Sequence, residues 1–204
     1  MFSGIVQGTG EVSKVISKKG YISIEINPPK NFNKSLKKGA SISVDGVCLT
    51  SVAKGIKKLR FDVIEETISR TNIKAIKKGS VVNLERSIKA STEIGGHLMS
   101  GHIHCTGKIK KILNKNSTKD IIVEFPKKFK EYIFEKGYIG LNGCSLTLGK
   151  VNKASFYLHL IPETLVVTNL DKLKVGSLVN IEIDQNTISV VETVKNTLAA
   201  QKSR

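Results

Sequence analysis

The chain has 204 residues, 40% hydrophobic and 25% charged, the composition of an ordinary folding sequence and not of a disordered one. Its net charge of +16 comes from 29 Lys against 4 Arg spread along the whole length, and only 5% of residues are aromatic. That balance argues against a nucleic-acid binder, which uses Arg and aromatic side chains to read and stack bases, and no apolar run approaches the ~18 residues of a membrane span.

At the N-terminus no basic region precedes an apolar stretch, and Gly4, Gly8 and Gly10 interrupt what apolar character there is, so no export signal is read. Cys48, Cys105 and Cys144 are odd in number and widely spaced, as expected of reduced thiols in a cytoplasmic protein. Apolar and polar residues alternate over Tyr21–Asn27, Ser41–Asp45, Leu59–Glu65 and Ser80–Arg86. The alternation returns over Asp120–Phe125, Ser155–Ile161 and Ser177–Asp184. Runs of this length between Gly, Asn and Lys-Gly turns predict antiparallel strands, several to a domain, in a small closed barrel or sandwich. Pro126–Phe134 and the stretch around Glu163–Thr168 read as short helices, each mirrored in the first half. Over Ile188–Ala200 the period changes, with Ile188, Val191, Val194 and Leu198 on one helical face. This terminal helix is either packed on its own domain or used to assemble subunits.

The chain repeats itself. Shifted by 97 positions, Ser3-Gly4 falls on Ser100-Gly101, Gly46 with Leu49-Thr50 on Gly143 with Leu146-Thr147, and Glu66-Thr67 on Glu163-Thr164. Thr71-Asn72, Asn83 and Glu85 fall on Thr168-Asn169, Asn180 and Glu182. One long match at a domain-sized offset predicts a duplicated domain, not a solenoid. The division is 1–97 for the first domain, 98–187 for the second and 188–204 for the helix.

Positions at which the copies differ are the informative ones for chemistry. Ile5 faces His102, Gln7 faces His104, Phe2 faces Met99 and Cys48 faces Ser145. Because Ile5 fills the same slot, the fold does not require an imidazole at 102, and His102 reads as a proton-transfer residue. On a strand, His102 and His104 would share a face, which makes a zinc site with Cys105 or Glu93 conceivable. No compact ligand spacing supports it, and no metal is expected. The loops Asp45–Thr50 and Asn142–Thr147 place Cys48 or Ser145, and then a Thr, just past a Gly turn. The plain reading is a hairpin with a small core residue; the sharper one is a lip that binds a planar heterocycle.

These residues together resemble the riboflavin synthases of the two-barrel type. The resemblance rests on Met1–Val6, Gly46-Val47-Cys48-Leu49-Thr50, Gly95-Gly96-His97 with Ser100-Gly101-His102, Lys136-Gly137 ahead of Ser145-Leu146-Thr147, and Ile161-Pro162-Glu163-Thr164-Leu165. It runs in order from residue 1 to about 200. It departs at Asp45 and Asn142, which are exchanged relative to the usual Asn and Asp, and at Cys144, where Val or Ile is common. The resemblance implies an all-β fold of two tandem antiparallel barrels of Greek-key type plus the C-terminal helix. It implies a homotrimer held by that helix and a cofactor-free dismutation of two molecules of 6,7-dimethyl-8-ribityllumazine, in a site between the first barrel of one subunit and the second barrel of its neighbour.

By the same resemblance, His102 with Ser145 and Thr147 would deprotonate a methyl group, Cys48 would act at the acceptor ring and His97 would orient or relay. Gly4, Ile5, Val6, Leu49 and Thr50, with Asp62, Val63, Ile64, Glu65, Glu66 and Thr67, would bind the acceptor. Gly101, Ile103, Lys136 and Leu146, with Leu160, Ile161, Pro162, Glu163, Thr164 and Leu165, would bind the donor. Two other readings remain. Lumazine-binding antenna proteins share the duplicated barrel and catalyse nothing, but their Gly-Gly-His and Ser-Leu-Thr segments are altered where this chain keeps them. A nucleic-acid module would lose its binding steeply with salt.

Overall fold

The computed structural model describes residues 1–52 and 57–202. Two six-stranded antiparallel sheets carry the fold, one in each repeat. The first holds β1 (Gly8–Lys18), β2 (Tyr21–Asn27), β3 (Ser41–Val44), β4 (Val47–Thr50), β5 (Leu59–Ile64) and β6 (Val81–Arg86). The second holds β7 (Cys105–Lys115), β8 (Thr118–Glu124), β9 (Tyr138–Leu141), β10 (Cys144–Thr147), β11 (Ser155–Leu160) and β12 (Leu178–Ile183). The strand orders β4-β3-β6-β1-β2-β5 and β10-β9-β12-β7-β8-β11 are the same order twice. Ser51 bridges Phe61 at the free edge of the first sheet, and Val151 bridges Phe156 in the second, so each sheet curls until its ends meet.

The alternation in the sequence does what a half-buried strand requires. In β5, Leu59, Phe61 and Val63 face inward and Arg60, Asp62 and Ile64 outward. The long strands β1 and β7 behave differently. Each slips register once, between Val12 and Lys14 and between Ile109 and Lys111, and such a bulge bends a strand so that it can serve both halves of a barrel. The α1 helix (Glu65–Arg70) follows β5 and α2 (Pro162–Val167) follows β11. Pro126–Phe134 forms a 3-10 helix over Lys127–Tyr132, but its mirror near Lys30–Ser35 is a run of turns, with Asn31 and Ser35 at φ of 65° and 58°.

Each barrel has its own apolar core, around Phe61 and Ile42 in one and Phe156 and Ile139 in the other. The segments that open each repeat are exchanged. Val6 is buried in the second core, and Ile103 packs against the first. Phe2 and Met99, both nearly fully buried, pair as an antiparallel bridge at the crossing point.

The barrels dock through their hairpin turns. Asp45-Gly46 and Asn142-Gly143 sit in left-handed conformations, and a Cβ on Gly46 would lie 2.7 Å from the Gly143 nitrogen. Around the turns lies a buried polar network with near-twofold symmetry. The Asn72 N–H donates to Asn180 Oδ1 and the Asn169 N–H to Asn83 Oδ1, both at 2.6 Å. Asn83 Nδ2 donates to the Asn142 carbonyl at 2.9 Å and Asn180 Nδ2 to the Asp45 carbonyl at 2.8 Å. The symmetry breaks at one carboxylate. Asp45 accepts from the Asn83 N–H, Asn72 Nδ2 and Asn169 Nδ2, and burial still lifts its pKa to about 6.

The terminal helix α3 (Gln185–Lys202) is longer than the sequence period indicated, and Ser203 and Arg204 lie outside the described residues. Asp184 caps it, accepting from the Thr187 N–H at 2.8 Å and the Thr187 hydroxyl at 2.9 Å. Ile188 packs against the second barrel, and the Tyr132 hydroxyl donates to Glu192. Farther along, Val190, Val194 and Leu198 stay exposed on one stripe.

Candidate functional site

Two buried carboxylates fix the exchanged segments. Glu85 accepts from the Ser3 N–H at 2.7 Å, the Ser3 hydroxyl at 2.8 Å and the Gly4 N–H at 3.1 Å. Glu182 does the same for the Ser100 N–H at 2.7 Å, the Ser100 hydroxyl at 2.8 Å and the Gly101 N–H at 3.1 Å. Burial raises both carboxyl pKa values, and these donors pull the other way. Gly4 and Gly101 then turn through φ of 73° and 79°, open only to glycine at low cost. Each lies flat on the other barrel's hairpin: the Ser145 N–H donates to the Gly4 carbonyl at 2.8 Å, and the Cys48 N–H to the Gly101 carbonyl at 2.9 Å. A Cβ on Gly4 would come within 2.5 Å of Ser145 Cβ, and one on Gly101 within 2.6 Å of Cys48 Cβ.

This exchange makes two composite pockets. The first, of about 280 Å³, sets Val47 and Cys48 of β4 and Glu66, Thr67, Arg70 and Thr71 of α1 against Gly101, His102 and Ile103. The second, of about 220 Å³, sets Cys144 and Ser145 of β10 and Glu163, Thr164, Val167 and Thr168 of α2 against Gly4, Ile5 and Val6. Every lining residue of one has its counterpart in the other at the repeat offset of 97. The shapes match and the chemistry does not: His102, Cys48 and Arg70 stand where Ile5, Ser145 and Val167 stand. A cleft of about 530 Å³ continues the second pocket past Ser145 and Thr164 to Lys136, Leu146, Thr147 and Ile161.

Ser145 has a partner with no counterpart in the first pocket. His97, between the barrels, holds Nδ1 2.7 Å from Ser145 Oγ and stacks on Tyr138 with ring centroids 5.3 Å apart. Its Nε2 is buried and has no hydrogen-bond partner among the described residues. Burial lowers the His97 pKa, so the ring is neutral at neutral pH. Gly96 permits this approach, since a Cβ there would meet the Ser3 carbonyl at 2.3 Å and Ser145 Cβ at 2.7 Å.

Several sequence expectations are re-sorted. His102 and His104 precede β7 and do not share a strand face. His102 is exposed in the first pocket, whereas His104 Nδ1 accepts from the Ile183 N–H at 3.1 Å and serves the fold. Cys105 is buried and its thiol is pushed up to about 12. Gly4, Ile5 and Val6 face Ser145, Glu163 and Thr164, while Gly101 and Ile103 face Cys48, Glu66 and Thr67. That is the reverse of the acceptor and donor groupings expected from the sequence. His102 and Ser145 line different pockets of the chain, so the structure does not bring His102 together with Ser145 and Thr147. Leu49, Val63 and Leu160 are core side chains, at most 6% exposed, and can offer a ligand only their backbone. Thr50, Asp62, Ile64 and Glu65 are exposed near the rim of the first barrel, and Pro162 and Leu165 begin and line α2 in the second. The sequence reading passed over Arg70, Thr71, Thr168 and the two glutamates. The repeat of Glu85 at Glu182 was the available signal.

Residues 3–87 and 100–184 each match the model of the lumazine binding domain. The chain is 43% identical over 204 residues to riboflavin synthase of Escherichia coli (strain K12), covering all of this chain and 96% of that one. It is 38% identical to riboflavin synthase of Buchnera aphidicola subsp. Baizongia pistaciae, again across the whole chain and 97% of the relative. Among solved structures, LumP complexed with 6,7-dimethyl-8-(1'-D-ribityl) lumazine superposes with a TM-score of 0.83 at 28% identity, covering 91% of this chain and 100% of that one. LumP with riboflavin gives a TM-score of 0.85 at 28% identity over the same coverage.

Proposed function

The chain belongs to the riboflavin synthases, enzymes with two lumazine-binding domains, and from that membership we propose how its pockets divide the reaction. Two molecules of 6,7-dimethyl-8-ribityllumazine enter, and one passes a four-carbon unit to the other. Riboflavin and 5-amino-6-ribitylamino-pyrimidinedione leave. The atoms of two lumazines equal those of the two products, so no oxidant or reductant is consumed and no cofactor is called for. The observation that carries the proposal is the pair of pockets alike in shape and unlike at His102/Ile5 and Cys48/Ser145.

The first chemical task is to remove a proton from the C7 methyl of one lumazine, whose carbanion spreads into the ring. His102 is the exposed imidazole placed to take it. Cys48 beside it makes a polar contact with the ring in the first pocket. In the second, His97 accepts the Ser145 hydroxyl proton at Nδ1 in the tautomer that carries its hydrogen on Nε2. That leaves a Ser145 lone pair for the bound ring, while Thr147 and Lys136 line the cleft beyond. Holding two rings in contact turns a bimolecular step into an effectively unimolecular one, the largest single contribution available here.

The pockets of one chain do not suit that contact. From the antiparallel bridge of Phe2 and Met99 the two exchanged segments run in opposite directions, each into its own pocket. We therefore place each reaction between the first pocket of one chain and the second pocket of a neighbour in a homotrimer. The exposed Val190, Val194 and Leu198 stripe supports that assembly. Three free thiols support a cytoplasmic, reducing location. Purified chain incubated with the lumazine, without metal or nucleotide, is expected to form one riboflavin for every two lumazines consumed. Binding without any flavin formed would refute the assignment and favour the antenna-type reading. An unchanged rate in His102→Ala would remove the base assignment alone.

A further inference from the structure

One imidazole has so far had no task. β11 sets His159 directly opposite Asp120 of β8, and His159 Nδ1 lies 2.7 Å from Asp120 Oδ1. Asp120 is only 5% exposed, and Lys115 Nζ reaches its other oxygen at 2.6 Å. Lys115 first, and then His159, hold this carboxyl below the usual carboxylate range, so it is an ionised acceptor and Nδ1 carries the hydrogen. Nε2 is left facing Gly149, where a Cβ would come within 2.8 Å of it, so the glycine leaves room for the ring edge in this position. Carboxylate and glycine together fix both the tautomer and the direction of the ring.

That edge lines the cleft continuing the second pocket, along with Lys136, Thr147 and Lys150. The pocket itself is lined by Ile5, Val6 and Val167 and, at about 220 Å³, is smaller than the ~300 Å³ at which ligand sites usually begin. A ligand with a flat ring and a long polar arm would place the ring there and extend the arm into the cleft. The first barrel has no such device: Asp62 stands at the position of His159, opposite Ser23.

Resting on the assignment above, we infer that His159 is a binding residue for the polyhydroxylated side chain of the ligand held in the second barrel. Nε2 accepts a hydrogen bond from one of its hydroxyls, and Asp120 is the positioning residue that presents the acceptor. The second barrel thereby meets the arm with an imidazole where the first has the Asp62 carboxyl.

The test is a fluorescence titration with two probes, 6,7-dimethyl-8-ribityllumazine and its analogue bearing a methyl group at N8. His159 is exposed enough for His159→Phe and His159→Ala to fold, which an unchanged thermal midpoint checks. Both should weaken the ribityl compound about tenfold at half of the sites, the size of one lost hydrogen bond, and leave the N8-methyl analogue unmoved. Asp120→Asn should give a smaller loss and shift the ring-nitrogen NMR signals away from the Nδ1-protonated pattern, a readout that general loosening of the strand would not produce. An equal loss for both probes, or ribityl affinity within about twofold of wild type, overturns the inference. So does a wild-type chain that binds neither. Ribityl-dependent loss in a chain that makes no riboflavin would uphold this inference and sink the catalytic assignment.

Discussion

Asp45 gives the sharpest quantitative prediction, because among the described residues it is the single carboxylate in a buried network that is otherwise built from amides. Burial raises its pKa from 3.8 to about 6 against three opposing hydrogen bonds. The folded chain therefore holds the Asp45 proton more tightly than the unfolded chain. Its contribution is fully present below pH 3.8 and is lost as the pH climbs through about 6. A shift of about two units corresponds to about 3 kcal/mol in all, of which about 2.4 kcal/mol is lost between pH 4 and pH 7, and complete burial leaves little solvent screening to discount it. Asp45→Asn removes the titration. Its altered hydrogen bonding adds a pH-independent offset, and Glu85 and Glu182, also raised, titrate alike in both proteins. The assay is urea unfolding of both proteins at one concentration across pH 4 to 7, reading the difference in unfolding free energy. Relative to wild type, Asp45→Asn should gain about 2.4 kcal/mol over that range. A constant difference would show that the network stabilises the ionised carboxylate after all, and the account of the interface would be wrong.

Gly101→Ala should cost about 2 kcal/mol or more, since it combines φ of 79° with a Cβ 2.6 Å from Cys48 Cβ. The same change should open the first pocket, so activity should fall by more than thermal denaturation explains. Val194→Glu with Leu198→Glu leaves each chain folded, because both side chains are already exposed, and should turn the proposed trimer into monomers in sedimentation. A trimer that survives would refute the role given to the helix. Cys144→Ser should leave the reaction rate within about twofold, because Cys144, although it lines the second pocket beside Ser145, is a buried thiol held near pKa 12. A large rate loss with normal stability would mean the wrong residue of that hairpin was chosen.

The duplication and most strands were legible because a half-buried strand must alternate, and Tyr21–Asn27 alternates without a break. The two longest strands were not. Their bulges between Val12 and Lys14 and between Ile109 and Lys111 change the phase of the pattern midway, so no single run of period two marks them. The site residues were visible one by one through the unlike pairs Ile5/His102 and Cys48/Ser145. Their grouping was not, because a repeat alignment tells which positions correspond but not whose opening segment covers whose hairpin. That depends on long-range contacts such as Gly4 with Ser145 and Gly101 with Cys48, which leave no local periodicity. His159 escaped for a related reason: its meaning depends on Asp120, 39 residues away and across a strand pair.

The measurement closest to the centre of this account mixes two inactive chains. His102→Ala spoils only the first pocket and Ser145→Ala only the second. If each reaction spans two chains, co-refolded mixtures should recover about a quarter of the wild-type rate, the fraction of random neighbour pairs in which both facing pockets are intact. A mixture no faster than the mean of its two components would place both pockets of one reaction in the same chain, and the division of labour proposed here would fail.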